Sequence, residues 1–310
     1  MLGPAKIALV VVLLGATALA FAVTERLKLE RSPITGTKVD KVFSPVCECP
    51  RDFAVISFRL RKSETVTASV IDSAGRTVQT LVRRRREKPG RVSYTWNGRN
   101  DAGVVVADGL YKPKIELEAH GRIFVLPNPI RVDTVDPVIH VLRVHPRVFS
   151  PGVDRRGDRI VATYRVSEPA RALMLIDGHR RVVGRFRPLV GQLTWYGIVN
   201  NRPVPAGTYS LRLRAMDVAG NRSSVTRAIA IRVRYIELTR HRIRVVAGWR
   251  FRVGVTTDAR TYRWLFAGKR GTARARVLRL RAPDVPGSYT LYVSLGPHAD
   301  KAAVTVTSKG

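Results

Sequence analysis

The residues whose types could do chemistry are few and badly spaced for it. The six histidines are His120, His140, His145, His179, His241 and His298. None has the paired helical spacing that holds zinc in a hydrolase, and no Gly-x-Ser-x-Gly elbow is present to expose a nucleophile. Gly268-Lys269-Arg270-Gly271-Thr272 has residue types of a phosphate loop but lacks the full glycine spacing and a following helix, so a turn is expected there. Asp154-Arg155-Arg156-Gly157-Asp158 offers two acids separated by two arginines. Calcium takes six to eight oxygen ligands, so an ordinary polar turn is the better reading. Its Arg156-Gly157-Asp158 tripeptide is known from cell-adhesion ligands, but three residues recur too easily to argue adhesion. Cys47 and Cys49 make neither a disulfide framework nor a zinc ribbon. A redox switch, a metal pair, an intermolecular bridge, a local loop clasp and two idle thiols all remain open, and the pair suits a non-cytoplasmic setting slightly better. No catalytic residue, cofactor or metal is expected, and the chain reads as a non-enzyme.

What remains is positive charge. The chain of 310 residues has a formal net charge of +32, with Arg greatly outnumbering Lys. Such a charge attracts any polyanion: nucleic acid, lipid headgroups or acidic wall polymers. Arginines that merely decorate solvated faces are the plainer account. Arg83, Arg84, Arg85 and Arg86 with Lys88 form the densest run, expected at a hairpin tip, and they are the candidate polyanion contact. Arg274, Arg276, Arg279 and Arg281 recur at even or near-even spacing, so several could share one sheet face. Specific nucleic-acid recognition is not expected, because Trp and Tyr sit at core-phase positions rather than forming a stacking platform.

The elements that must position these residues are strands. Apolar content is 45%, enough for cores. Strict alternation runs through Ile56-Phe58-Leu60, Val92-Tyr94-Trp96, Ile160-Ala162-Tyr164-Val166, Tyr209-Leu211-Leu213-Ala215 and Trp249-Phe251-Val253-Val255. One face of each packs and the other meets water. Turn signals such as Asp101-Ala102-Gly103, Ala219-Gly220-Asn221 and Pro286-Gly287-Ser288 separate them. Short strands at this spacing predict sandwiches.

A repeat of roughly one hundred residues organises the strands. Val42-Phe43-Ser44-Pro45 recurs as Val148-Phe149-Ser150-Pro151, Trp96-Asn97-Gly98 as Trp195-Tyr196-Gly197, and Gly109-Leu110-Tyr111 as Gly207-Thr208-Tyr209. Trp96, Tyr111, Trp195 and Tyr209 are thus the expected core markers. The run from Trp96 to Tyr111, with the Phe-Ser-Pro openings, resembles the Ig-like domain first described in the flagellar hook-capping protein. The second copy is looser, with Asn200-Asn201-Arg202 in place of the Asp-x-x-Gly tip. The resemblance implies two tandem immunoglobulin-like sandwiches over about residues 42–234; it implies fold rather than function. Trp264 and the Pro286-Gly287-Ser288-Tyr289 turn suggest a third, divergent one.

Ile7 to Val23 carries no charge. It is at the short end for a membrane span, roughly 17–25 residues, and long for a signal-peptide core, about 7–15 residues. An uncleaved anchor is favoured over cleavage after Ala20 or Ala22, which would make the protein secreted. Arg26, Lys28, Arg31 and Lys38 follow the segment and only Lys6 precedes it. Counted literally, that bias puts the following domains in the cytoplasm. The whole chain is basic, however, and sandwich modules behind an apolar leader are typically exported, so the extracytoplasmic side is expected. The expectation is an all-β chain of tandem immunoglobulin-like sandwiches behind one N-terminal transmembrane helix. Its divisions are a signal anchor (1–24), a stalk (25–41), two Ig-like domains of hook-capping type (42–136 and 137–234) and a divergent Ig-like domain (235–310). The expected role is a membrane-anchored envelope spacer or scaffold, partnered by the membrane and by an anionic envelope polymer or another envelope protein. The alternative is an anionic-polymer binding module.

Overall fold

Alternating apolar residues become strands along nearly the whole chain. The computed structural model describes residues 12–21, 32–119, 121–152, 158–274 and 276–309. One helix spans 12–21, and every other named element is a strand. That helix lies inside the apolar segment Ile7 to Val23, whose two ends fall outside the described residues. No helix among the described residues is long and apolar enough to cross a membrane. The chain divides into two compact units, residues 1–134 and 135–310.

The first unit holds one sandwich. Ile34–Val39, Ala54–Leu60 and Gly90–Trp96 form a three-stranded sheet. The facing sheet runs Val42–Phe43, Ile130–Val132, Gly109–Leu117, Glu64–Ile71 and Thr77–Glu87, with Arg122–Val125 folded onto Gly109–Leu117. Val42–Phe43 pairs parallel with Ile130–Val132, so the chain changes sheets at its opening strand. Residues 34–39, expected in the stalk, are instead the first strand of this sandwich. Ile34 and Val39 are buried at its two ends. Gly36, at φ 58°, sits where the register shifts between Thr35 and Lys38. That bulge breaks the alternation and hides the strand from a period-two reading.

The second unit holds two sandwiches of the same plan. In the first of these, Ile139–His145, Ile160–Val166 and Val190–Trp195 face a sheet ordered Val148–Phe149, Ile229–Val233, Gly207–Met216, Arg171–Ile176 and His179–Val183. In the next, Ile236–Leu238, Arg250–Thr257 and Val277–Arg281 face Arg242–Val246, His298–Thr307, Gly287–Leu295, Tyr262–Phe266 and Lys269–Ala273. Each again opens its larger sheet with a parallel pair. The third module therefore shares the topology without the Trp-x-Gly signature.

Three separate cores fill the three sandwiches. Trp96 is fully buried, edge-on to Phe43 at 5.6 Å and to Tyr111 at 5.0 Å. Trp195 repeats this with Phe149 at 5.7 Å and Tyr209 at 6.2 Å. In the third module the aromatic cluster is built instead on Phe266 of the larger sheet, against Phe251 at 5.4 Å and Tyr289 at 6.2 Å. Trp264, expected to mark that core, is half-buried and lies over Gly271, where an added Cβ would come within 2.8 Å of the indole. Every module also closes its strand entry with a tyrosine hydroxyl donating to the carbonyl four residues back. The pairs are Tyr111 to Ala107 at 2.7 Å, Tyr209 to Pro205 at 2.8 Å and Tyr289 to Val285 at 2.9 Å. This is the tyrosine corner of immunoglobulin-like sandwiches.

The second and third modules meet at Tyr235. This residue, expected to open the third domain, belongs to the second core. Its hydroxyl donates to the Val204 carbonyl at 2.6 Å, and burial pushes its pKa up to about 12. Its ring lies flat on His298 of the third module, centroids 3.5 Å apart. Thr257 donates to the Tyr235 carbonyl at 2.7 Å, Ser150 donates to Asp258 at 2.7 Å, and Arg232 pairs with Glu237 at 2.6 Å.

Candidate polyanion-binding surface

The densest arginine run is a strand edge. Arg83 to Arg86 lie in Thr77–Glu87, the last strand of its sheet, and not at a hairpin tip. The next strand, Gly90–Trp96, belongs to the facing sheet, so Lys88 lies on a connection between sheets. All five side chains are exposed. Two of them are already engaged. Arg84 adopts φ 48°, its amide donates to Thr67 Oγ1 at 3.0 Å, and its guanidinium pairs with Glu118 at 3.0 Å. Arg85 pairs with Glu87 at 2.6 Å and lies 5.1 Å from the centre of the Tyr94 ring. The Glu87 hydrogen bond holds the Arg85 pKa above its ordinary value. Burial, then the Glu87 hydrogen bond, raises that of Tyr94. The run therefore offers Arg83, Arg86 and Lys88 more freely than its centre. Charged edges of this kind also keep strands from pairing with other chains.

A second basic face lies on the third module. Arg279 and Arg281 stand on Val277–Arg281, and Arg250 and Arg252 stand opposite them, Arg250 against Arg281 and Arg252 against Arg279. All four are exposed. Directly opposed residues of an antiparallel pair have Cβ atoms roughly 4.5–5.5 Å apart, where like charges destabilise. Among the described residues the one carboxylate paired with this group is that of exposed Asp284, 3.7 Å from Arg281. Arg274 and Arg276 precede the strand, and the Arg276 carbonyl accepts the Val255 amide at 2.7 Å, one step beyond the Gly254–Val277 pair. Even spacing in sequence located half of this face. Its other half comes from a neighbouring strand, which requires the register.

The remaining candidates that are described lie in strands, turns and loops. Gly268 follows Ala267 in a hairpin turn, both at positive φ, between Tyr262–Phe266 and Lys269–Ala273; of the turn expected over Gly268 to Thr272 only Gly268 lies in it, and the rest is strand. His241 Nε2 lies 3.0 Å from Asp300, which also accepts the Leu238 amide at 2.7 Å. His179 Nδ1 is 3.0 Å from the Asp177 carbonyl, and burial lowers the pKa of His298. Cys47 and Cys49 are joined as a disulfide, a clasp within one loop. His120 and residues 154–157 of the Asp154–Asp158 loop lie outside the described residues.

The spacing from Trp96 to Tyr111 and the pairing of the strands around it identify the first module. Residues 54–121 match the FlgD Ig-like domain family. Among solved structures, the fibronectin(III)-like modules of Clostridium thermocellum CbhA are 14% identical, over 64% of this chain and 94% of that one, with a TM-score of 0.38. A three-Ig fragment of titin is 11% identical, over 91% of this chain and 100% of that one, with a TM-score of 0.31. FlgD from P. aeruginosa is 21% identical, over 37% of this chain and 82% of that one, with a TM-score of 0.24. No curated protein matches the chain. The chain is all-β, with an Ig-like domain of FlgD type in its first module.

Proposed function

We propose that this is a non-enzymatic, membrane-anchored protein of the cell envelope that presents Ig-like modules in series as a spacer and binding scaffold. The observation that carries the reading is the repetition of one sandwich plan around three separate cores. The second module is a further copy of the FlgD type. Its Phe149, Trp195 and Tyr209 repeat the contacts of Phe43, Trp96 and Tyr111. The apolar segment Ile7 to Val23 is the anchor, and the modules stand on the extracytoplasmic side. Protease added to cells whose outer layers have been opened should digest the modules while the cytoplasm stays intact. Digestion only after lysis would overturn the reading.

A second reading, an anionic-polymer binding module, is favoured by the opposed arginines of the third module. Four like charges gathered on one ladder are unfavourable unless an anion shares them.

A further inference from the structure

The third module departs from the other two at one place in the ladder. In the first two, Ala54 pairs with Trp96 and Ile160 with Trp195, and both indoles are buried. In the third, the Ala282 amide donates to the Trp249 carbonyl at 2.8 Å, one step beyond the Arg250–Arg281 pair. The same two ladder positions thus hold Trp249 and Ala282, with the tryptophan on the other strand of the pair. Ala282 is buried, whereas Trp249 is 61% exposed.

Two features put Trp249 outside. Gly248 at φ 76° turns the chain just before the strand, with the Trp249 amide bonded to the Val246 carbonyl at 3.0 Å. The connection to the next strand, residues 282–286, is shorter than residues 97–108 or 196–206 of the other modules. A groove of about 650 Å³ opens beside Ala282 and Tyr289, the counterparts of Trp96 and Tyr111. Lys269, Arg279 and Arg281 also border it, with one carboxylate, Asp284, 3.7 Å from Arg281. Arg279 and Arg281 therefore belong to both the groove and the arginine ladder. An exposed tryptophan forgoes burial of roughly 150–250 Å².

We propose that the third module binds an acidic, carboxylate-bearing polysaccharide along Trp249, the two arginine pairs and the groove beside Tyr289. The inference rests on the extracytoplasmic placement above, which brings envelope polysaccharide rather than nucleic acid to this face. The chemistry is complementary. Guanidinium forks hold carboxylates through paired hydrogen bonds, and a flat amphipathic indole offers an apolar platform to a sugar ring. Spacing along a strand, roughly 6.5 Å between alternate residues, sets successive arginines at intervals on the scale of sugar units. Nucleic-acid grooves stack successive bases on several exposed aromatics, whereas here Trp249 is exposed and the groove's Trp264 and Tyr289 are partly buried against the core.

The test is titration of the full chain with polygalacturonate at near-physiological salt, alongside dextran, a single-stranded oligothymidylate and phosphatidylglycerol vesicles. Polygalacturonate should bind at least about tenfold more tightly than each of the others, the equivalent of ~1.4 kcal/mol. The double variant R252Q/R279Q should weaken it by about tenfold or more and flatten its salt dependence. Trp249→Ala should weaken it by about tenfold with the salt dependence unchanged. The double variant R83Q/R86Q should change it less than about twofold, since those residues lie on the first module. Equal weakening by R83Q/R86Q, no effect of Trp249→Ala, or equal affinity for the oligonucleotide or vesicles would overturn the proposal. Protease protection of the modules in cells would instead remove the envelope reading and leave these affinities as measured.

Discussion

Trp96 and Trp249 occupy opposite ends of one structural logic. Trp96 sits between two sheets with its Nε1 donating to the Arg99 carbonyl at 3.0 Å. Trp249 stands in solvent, its backbone bonded to Ala282, which borders the groove. Trp96→Ala should cost roughly 3–5 kcal/mol in chemical denaturation, the range for a core aromatic truncation. Trp249→Ala should stay within about 0.5 kcal/mol, as surface substitutions do. Equal losses would show that Trp249 is a core residue. Tyr111→Phe and Tyr289→Phe each remove one corner hydrogen bond and should cost about 1 kcal/mol. The aromatic repeat Trp96, Tyr111, Trp195, Tyr209 was legible because each residue holds a fixed offset from a glycine. Trp249 was not legible. Its phase with Phe251, Val253 and Val255 predicts an inward side chain, and the turn at Gly248 overrides that phase.

At the scale of elements, the repeated Phe-Ser-Pro and Trp-x-Gly motifs prove to be one contact. Gly98 adopts φ 69°, and a Cβ there would lie 2.8 Å from Pro45 Cβ and 3.1 Å from Phe43. Gly197, at φ 66°, stands likewise against Pro151 and Phe149. The glycine lets the turn after the tryptophan close on the opening strand. Gly98→Ala should therefore destabilise the first module by at least ~1–2 kcal/mol from the left-handed backbone alone, measured as the shift in its unfolding midpoint. Gly103→Ala, also at positive φ but with nothing near its Cβ, should cost less. Strand content was readable from alternation, while strand partners were not. Arg83 to Arg86 looked like a tip because four charges in a row resemble a turn, yet they form an edge strand whose bulge at Arg84 takes the Thr67 hydroxyl. The ladder of Arg250 with Arg281 joins strands separated by the Tyr262–Phe266 and Lys269–Ala273 hairpin, which no local pattern reports.

At the scale of the molecule, the second and third modules share a joint built on Tyr235 and His298. Burial holds the His298 pKa below the ordinary 6.5. The unfolded chain then takes up that proton more readily than the folded one. Stability from this site is full above about pH 6.5 and falls as the pH drops through that value. Melting curves at pH 7.5 and 5.5 should show a drop in Tm that shrinks in His298→Phe, which keeps an aromatic ring against Tyr235 and removes the proton. An unchanged drop would place the titration elsewhere. The tandem plan itself was visible in the repeat. The boundary was harder, because Tyr235 follows the last strand of one module, immediately precedes the next and packs into the first of them. The most direct measurement is amide hydrogen exchange of the full chain with and without polygalacturonate. Slowed exchange confined to Trp249–Thr257, Val277–Arg281 and the connection at 282–286 is the predicted result. Protection spread evenly over the arginine-bearing strands of all three modules would contradict a dedicated site and leave only general attraction of a basic chain for a polyanion.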